Sequence, residues 1–107
     1  MPRFSVVVPA YNAESTLAET LDAIIAQTFA DWECVVVDDG STDGTLSLAT
    51  GYAEKDSRVR VLHQGNQGSA GAYNTGVRAA SGQFVVMCSA DDILLPEHLS
   101  EMSASTA

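Results

Sequence analysis

Residues 34–45 read Cys34-Val35-Val36-Val37-Asp38-Asp39-Gly40-Ser41-Thr42-Asp43-Gly44-Thr45, an apolar run that stops at two aspartates and passes into turn formers. The run is continuous rather than alternating, as expected for a strand covered on both faces. Beyond it, Leu46, Leu48, Ala49, Tyr52 and Ala53 fall at helical spacing. Strand, acidic turn, helix is one half of a βαβ unit, and the same punctuation recurs on both sides of this stretch. Phe4 to Val8, Val59 to Leu62 and Phe84 to Cys88 are further apolar runs. Helical segments are expected over Glu14 to Thr28, where Leu17, Leu21, Ile24 and Ile25 form one stripe, and over Ala70 to Ala80. Thr16 with Glu19 suggests a capping box for the first of these, and Glu14 with Ser15 an earlier start. Pro96 and Glu97 open a last helical segment that fades into Ser103–Ala107. The expected fold is α/β: an open, mostly parallel, Rossmann-like sheet of about four strands with helices on both faces.

The chain has 107 residues, enough for one domain spanning 1–107, and carries 14 Asp plus Glu against 5 Lys plus Arg for a net charge of −9. Lys55 is the only lysine, so a nucleic-acid partner is excluded as an expectation, because a phosphate backbone requires clustered cations. Apolar runs of about five residues fall far short of the roughly 20 that span a bilayer, and no signal peptide precedes Phe4. Cys34 and Cys88 stand 54 positions apart and match no zinc spacing. They read as buried thiols in a reducing compartment, which gives a cytoplasmic expectation, with a parent protein able to hold the chain at the cytoplasmic face of a membrane.

In open α/β sheets ligands bind at the carboxyl ends of the strands. The polar residues collect there: Pro9-Ala10-Tyr11-Asn12, Asp38-Asp39-Gly40, His63-Gln64-Gly65-Asn66 and Ser89-Ala90-Asp91-Asp92. Four carboxylates at two neighbouring strand ends would repel one another unless a cation or ligand offset them. Asp91 and Asp92 offer hard oxygens suited to Mg²⁺ or Mn²⁺; alternatively Asp92 caps the helix near Pro96 and Asp91 faces water. Asp38 and Asp39 belong to a site or simply to a turn, and Tyr11 is a stacking face for a base or a loop aromatic. His63 has no nucleophile beside it and reads as structural. The glycines form neither a dinucleotide fingerprint nor a Walker loop.

Together these pieces resemble the N-terminal part of glycosyltransferase family 2. The matching segments are Ser5–Asn12, Gln27-Thr28-Phe29, Trp32-Glu33, Val37–Thr45, Asn66-Gln67-Gly68 with Asn74-Thr75-Gly76, and Ala90-Asp91-Asp92 followed by Pro96. The resemblance implies the GT-A fold, of which this chain would be the N-terminal donor half. It implies inverting transfer from a nucleotide-diphosphate sugar, UDP-linked, to a saccharide or other hydroxyl acceptor. Pro9, Ala10, Tyr11, Asn12, Asp38, Asp39 and Ala90 would line the nucleotide site, with Tyr11 against the base and Asp39 accepting from it. Asp91 and Asp92 would hold Mn²⁺ or Mg²⁺ on the diphosphate.

Two departures accompany it. Ser89 replaces the first acid of the family's DxD pattern, and the general base that an inverting transfer needs falls, in the family, on a later segment that these residues do not contain. No catalytic residue is therefore named, and a non-catalytic nucleotide-sugar-binding fragment is the competing expectation. A phosphoacceptor receiver domain also places an acidic pair after a strand, but it needs a lysine near the last strand, and Lys55 lies between the second helix and the third strand. The end after Pro96 leaves room for a homo-oligomer.

Overall fold

The computed structural model describes residues 2–105. The elements run β1 (Phe4–Ala10), α1 (Leu17–Ile25), β2 (Trp32–Asp39), α2 (Thr45–Lys55), β3 (Val59–Gln64), α3 (Gly68–Ala79), β4 (Phe84–Met87) and α4 (His98–Ser105). The strands form one parallel sheet in the order β3-β2-β1-β4. The expected four runs and their helices are thus present. The first helix coincides with its apolar stripe, Leu17 to Ile25, and is shorter at both ends than the expected Glu14 to Thr28, and the last begins at His98 because Pro96 and Glu97 form a turn before it. Among the described residues no helix is long and apolar enough to cross a membrane.

Strand alternation divides the core. Phe4, Val6, Val8, Cys34, Val36 and Val86 pack with α1, α2 and Leu99 of α4 on one face. Val35 and Val37 meet Ala72 of α3 on the other. All eight residues of β2 are buried, which explains its unbroken apolar run. Gly76 lets α3 lie close to the sheet: a Cβ there would collide with Val7 Cγ1 and come within 3.2 Å of Val37 Cγ2. Phe4 and Phe29 pack edge to face at 5.5 Å. At the amino ends of the strands a polar cluster fastens the turn before β4. Glu33 accepts from the Ser5 hydroxyl at 2.5 Å, the Ser81 amide at 2.6 Å and Arg60 at 3.0 Å.

Two expectations change. Thr16 occupies the N-cap position of α1, but no side-chain cap forms there; its hydroxyl donates instead to the carbonyl of Ala90 at 2.9 Å. The two acidic pairs are not neighbours either, because β1 lies between β2 and β4 in the sheet. Among the described residues no three His, Cys, Asp or Glu side chains gather as a metal cage.

Candidate functional site

The carboxyl end of β1 is the floor of a groove made of two adjoining cavities. The smaller, of about 120 Å³, is lined by Pro9, Ala10, Tyr11, Asp39, Asn66, Gly68, Ser69 and Ala72. The larger, of about 470 Å³, shares Pro9, Tyr11 and Ser69 and continues past Asn12, Ser15, Thr16, Met87, Ser89 and Ala90 to Asp91. Tyr11, half exposed at 52%, stands where the two meet.

Asp39 closes the smaller cavity. Its Oδ1 accepts from Gln64 Nε2 at 3.0 Å and from the Gln67 amide at 2.8 Å, and Oδ2 accepts from the Gly68 amide at 2.9 Å. The amides belong to the start of α3, where free N–H groups and the helix dipole favour an anion. Burial works against the charge, but these three donors outweigh it and hold the carboxyl below its ordinary value. A carboxylate has about four acceptor positions, so one remains on Oδ2. Gly68 takes φ +84° to make this turn, a conformation glycine adopts without strain.

Asp38 departs from expectation. Its neighbour Asp39 lines the groove, and successive residues of a strand point to opposite faces. Asp38 is fully buried on the other side, where His63 Nδ1 donates to its Oδ2 at 2.7 Å. Its Oδ1 has no partner among the described residues. His63 is thus tied to Asp38 and lines neither cavity.

Asn12 lies in the left-handed region at φ 48°. Its Oδ1 accepts from the Thr42 amide at 2.8 Å, and its own amide donates to Ser41 Oγ at 2.9 Å. It borders the larger cavity while pinning the loop after β1 to the loop after β2.

At the far end, Asp91 lines the groove and makes no hydrogen bond or ion pair among the described residues. Asp92 does not line it: its Oδ2 accepts from the Ser89 amide at 3.2 Å, closing the turn. Asp92 therefore caps this turn and not the helix beyond Pro96. Mg²⁺ and Mn²⁺ bind through one or two carboxylates with water and ligand phosphates. One free carboxylate in the cavity that Ser89 also lines suits that donor set when a diphosphate supplies the remaining oxygens, and is too few for a cage made by the protein alone. Burial, then Asp92 and Asp91, push the Cys88 thiol up to about 11.

Sequence reasoning missed the partners that fix these groups. Gln64 lies opposite Asp39 in the parallel register, a pairing visible only once β2 is extended to Asp39. The Thr16 and Thr20 hydroxyls both reach Ala90 O, at 2.9 and 3.0 Å, and no local pattern signals a contact across 70 residues or more. Gln27, in the segment Gln27-Thr28-Phe29, spans to the last helix: Nε2 donates to Leu95 O at 2.8 Å and Oε1 accepts from the Leu99 amide at 3.0 Å.

The family model described as Glycosyl transferase family 2 matches residues 5–105. The chain is 38% identical over 102 residues to the UDP-Glc:alpha-D-GlcNAc-diphosphoundecaprenol beta-1,3-glucosyltransferase WfgD of Escherichia coli, covering 94% of this chain and 39% of WfgD. It superimposes on S. aureus TarS 1-349 in complex with UDP-GlcNAc with a TM-score of 0.89 at 36% identity, over 95% of this chain and 30% of that one. The mannosyltransferase PcManGT from Pyrobaculum calidifontis, in complex with GDP-Man and Mn²⁺, matches with a TM-score of 0.84 at 36% identity, over 97% of this chain and 31% of PcManGT. The chain thus spans less than two fifths of the length of each. The structural neighbours share the GT-A fold, and the four-stranded parallel sheet corresponds to it.

Proposed function

From the premise that the chain belongs to glycosyl transferase family 2, we propose that it is the donor-binding part of an inverting transferase that uses a UDP-linked sugar and a divalent metal. The observation that carries this reading is the groove itself, with Asp39 held as an acceptor at one end, Tyr11 at the middle and the free Asp91 at the other. An acceptor-only carboxylate suits a base edge that presents an N–H, as uracil does, and disfavours cytosine, whose ring nitrogen accepts at the same place. The Tyr11 face suits stacking of that base. WfgD and TarS, whose names and complexes carry UDP sugars, support uracil over guanine; PcManGT with GDP-Man shows that relatives take either.

In this reading Asp91 and the Ser89 hydroxyl would hold Mn²⁺ or Mg²⁺ on the diphosphate. The ion, when bound, would supply charge stabilisation to the departing nucleoside diphosphate. Pro9 and Tyr11 would wall off the base, and Ser15, Ser69 and Met87 would border the sugar and phosphates. Deprotonating a hydroxyl acceptor needs a base. The titratable side chains lining the groove are Asp39, Tyr11 and Asp91, all assigned to the donor, so that group comes from outside the described residues. The isolated chain then binds donor without transferring it. The two buried, unpaired cysteines support a cytoplasmic setting.

Calorimetric titration with UDP, GDP and CDP, with and without Mn²⁺, tests the reading. UDP is expected to bind tightest and to tighten with Mn²⁺, an effect that Asp91→Asn removes. CDP binding as well as UDP would overturn the role given to Asp39, and no nucleotide binding at all would overturn the donor site.

A further inference from the structure

The residue before Asp91 is fixed from α1 by two side chains. Thr16 Oγ1 donates to Ala90 O at 2.9 Å and Thr20 Oγ1 to the same oxygen at 3.0 Å. Each hydroxyl has one proton and a second acceptor within reach, Ala13 O for Thr16 and Thr16 O for Thr20, but both alternatives lie at 3.4 Å. The shorter contacts converge on Ala90. Thr20 is fully buried and lines neither cavity of the groove. Two donors on one buried carbonyl are more than the backbone of a surface turn requires. Their effect is to peg the turn carrying Asp91 to the helix that follows the loop of Tyr11 and Asn12.

We infer that Thr20, with Thr16, is a positioning residue for Asp91: it sets the acid where a metal-bound diphosphate meets it and couples that acid to the loop that takes the base. The inference rests on the metal role proposed for Asp91. Without the peg the turn keeps the link between Asp92 and Ser89 but loses its register against α1. Asp91 then meets the ion less often in the competent geometry, and the metal-dependent share of nucleotide affinity falls while base binding at the other end of the groove persists.

The test compares Thr20→Val, which keeps the branched shape and removes the hydroxyl, with Thr20→Ser, which keeps the hydroxyl and removes a methyl group. UDP affinity is measured for the full chain with Mn²⁺ and with EDTA, and hydrogen exchange is followed at residues 88–93. For Thr20→Val the tightening by Mn²⁺ is expected to shrink about fivefold, the worth of one hydrogen bond, with affinity in EDTA unchanged and exchange faster at 88–93. Thr20→Ser is expected to retain the tightening of the parent chain even where its melting temperature falls further. A purely structural threonine would give the reverse order, with Ser the more affected in every readout, and that result overturns the inference. Equal Mn²⁺ tightening in Thr20→Val and the parent also overturns it. A parent chain that binds UDP but does not tighten with Mn²⁺ overturns the metal role of Asp91 and the inference with it.

Discussion

Gln64 Nε2 donates to Asp39 Oδ1 across the β2–β3 register at 3.0 Å, and the orientation of that amide is set from behind, since the Thr75 hydroxyl donates to Gln64 Oε1 at 2.6 Å. The amide therefore presents its donor to Asp39. Gln64→Glu replaces a donor by a second acceptor beside a held carboxylate. Like charges at this range disfavour ionisation of one or both. The expected outcome is a stability loss of about 1–3 kcal/mol at pH 7, read by urea unfolding. A smaller loss at pH 4 than at pH 7 would identify the repulsion as the cause.

Gly76 and Gly51 both lie inside helices, yet alanine should act in opposite directions. At Gly76 the added Cβ strikes Val7, and the strain of overpacking, about 1–3 kcal/mol, is expected to exceed any gain in helix propensity. At Gly51 nothing lies within 4 Å. Gly51→Ala is expected to stabilise by about 0.5–1 kcal/mol through helix propensity. Thermal melts of the two single variants, compared with the parent, check both signs.

Gln27→Ala strands the Leu99 amide and removes the donor to Leu95 O in one step. Leu95 O keeps the His98 amide at 3.0 Å, so the cost is that of one stranded group, about 1–3 kcal/mol. The loss is expected to be local, because the Thr28 amide still donates to Pro96 O. Hydrogen exchange should quicken at Leu99 and through α4 while the β1 and β2 amides stay protected.

Acid should unfold the protein through a small set of carboxyls. Glu33 is held below its ordinary value because the Ser5 hydroxyl, the Ser81 amide and Arg60 outweigh its burial; Asp39 is held by Gln64 and the α3 amides against its burial; Asp56 is held by Arg58. Carboxyls lowered in the folded state contribute stability that is complete above their unfolded values, about 3.9–4.3, and is lost as pH falls through the folded ones. The melting temperature is expected to be insensitive to these groups between pH 6 and 7, and to fall steeply below about pH 4. Glu33→Gln should flatten that fall.

Both thiols should be silent in the native protein. Burial, the largest influence on each, pushes Cys34 well up, and Cys88 up to about 11. The thiolate is the reactive form. A thiol reagent at pH 8 is expected to label neither cysteine until denaturant is added, and then to label both.

The sequence was most informative where one physical signal acted alone. Continuous apolar runs located all four strands, although in β4 only Val86 is buried while Phe84, Val85 and Met87 are exposed, and the stripe of Leu17, Leu21 and Ile24 marked the buried face of α1. Ending the second strand at Val37 hid the consequence of alternation, that Asp38 and Asp39 must part to opposite faces. Strand order has no local signature, so the separation of Asp39 from Asp91 by β1 had to come from the structure. The reassignment of Thr16 from helix cap to tether has the same origin: its sequence neighbours suggest Glu19, whereas its hydroxyl finds Ala90.

The insertion of β1 between β2 and β4 also turns the sheet into a measuring device. Neighbouring strands lie about 4.8 Å apart, so a ligand that engages the end of β2 and the end of β4 together must extend over two such spacings, about 10 Å. In the proposed reading a nucleoside diphosphate, with its base at one end and its phosphates at the other, is long enough to do so. The order of the strands thereby sets a minimum length for any ligand that uses both ends of the groove.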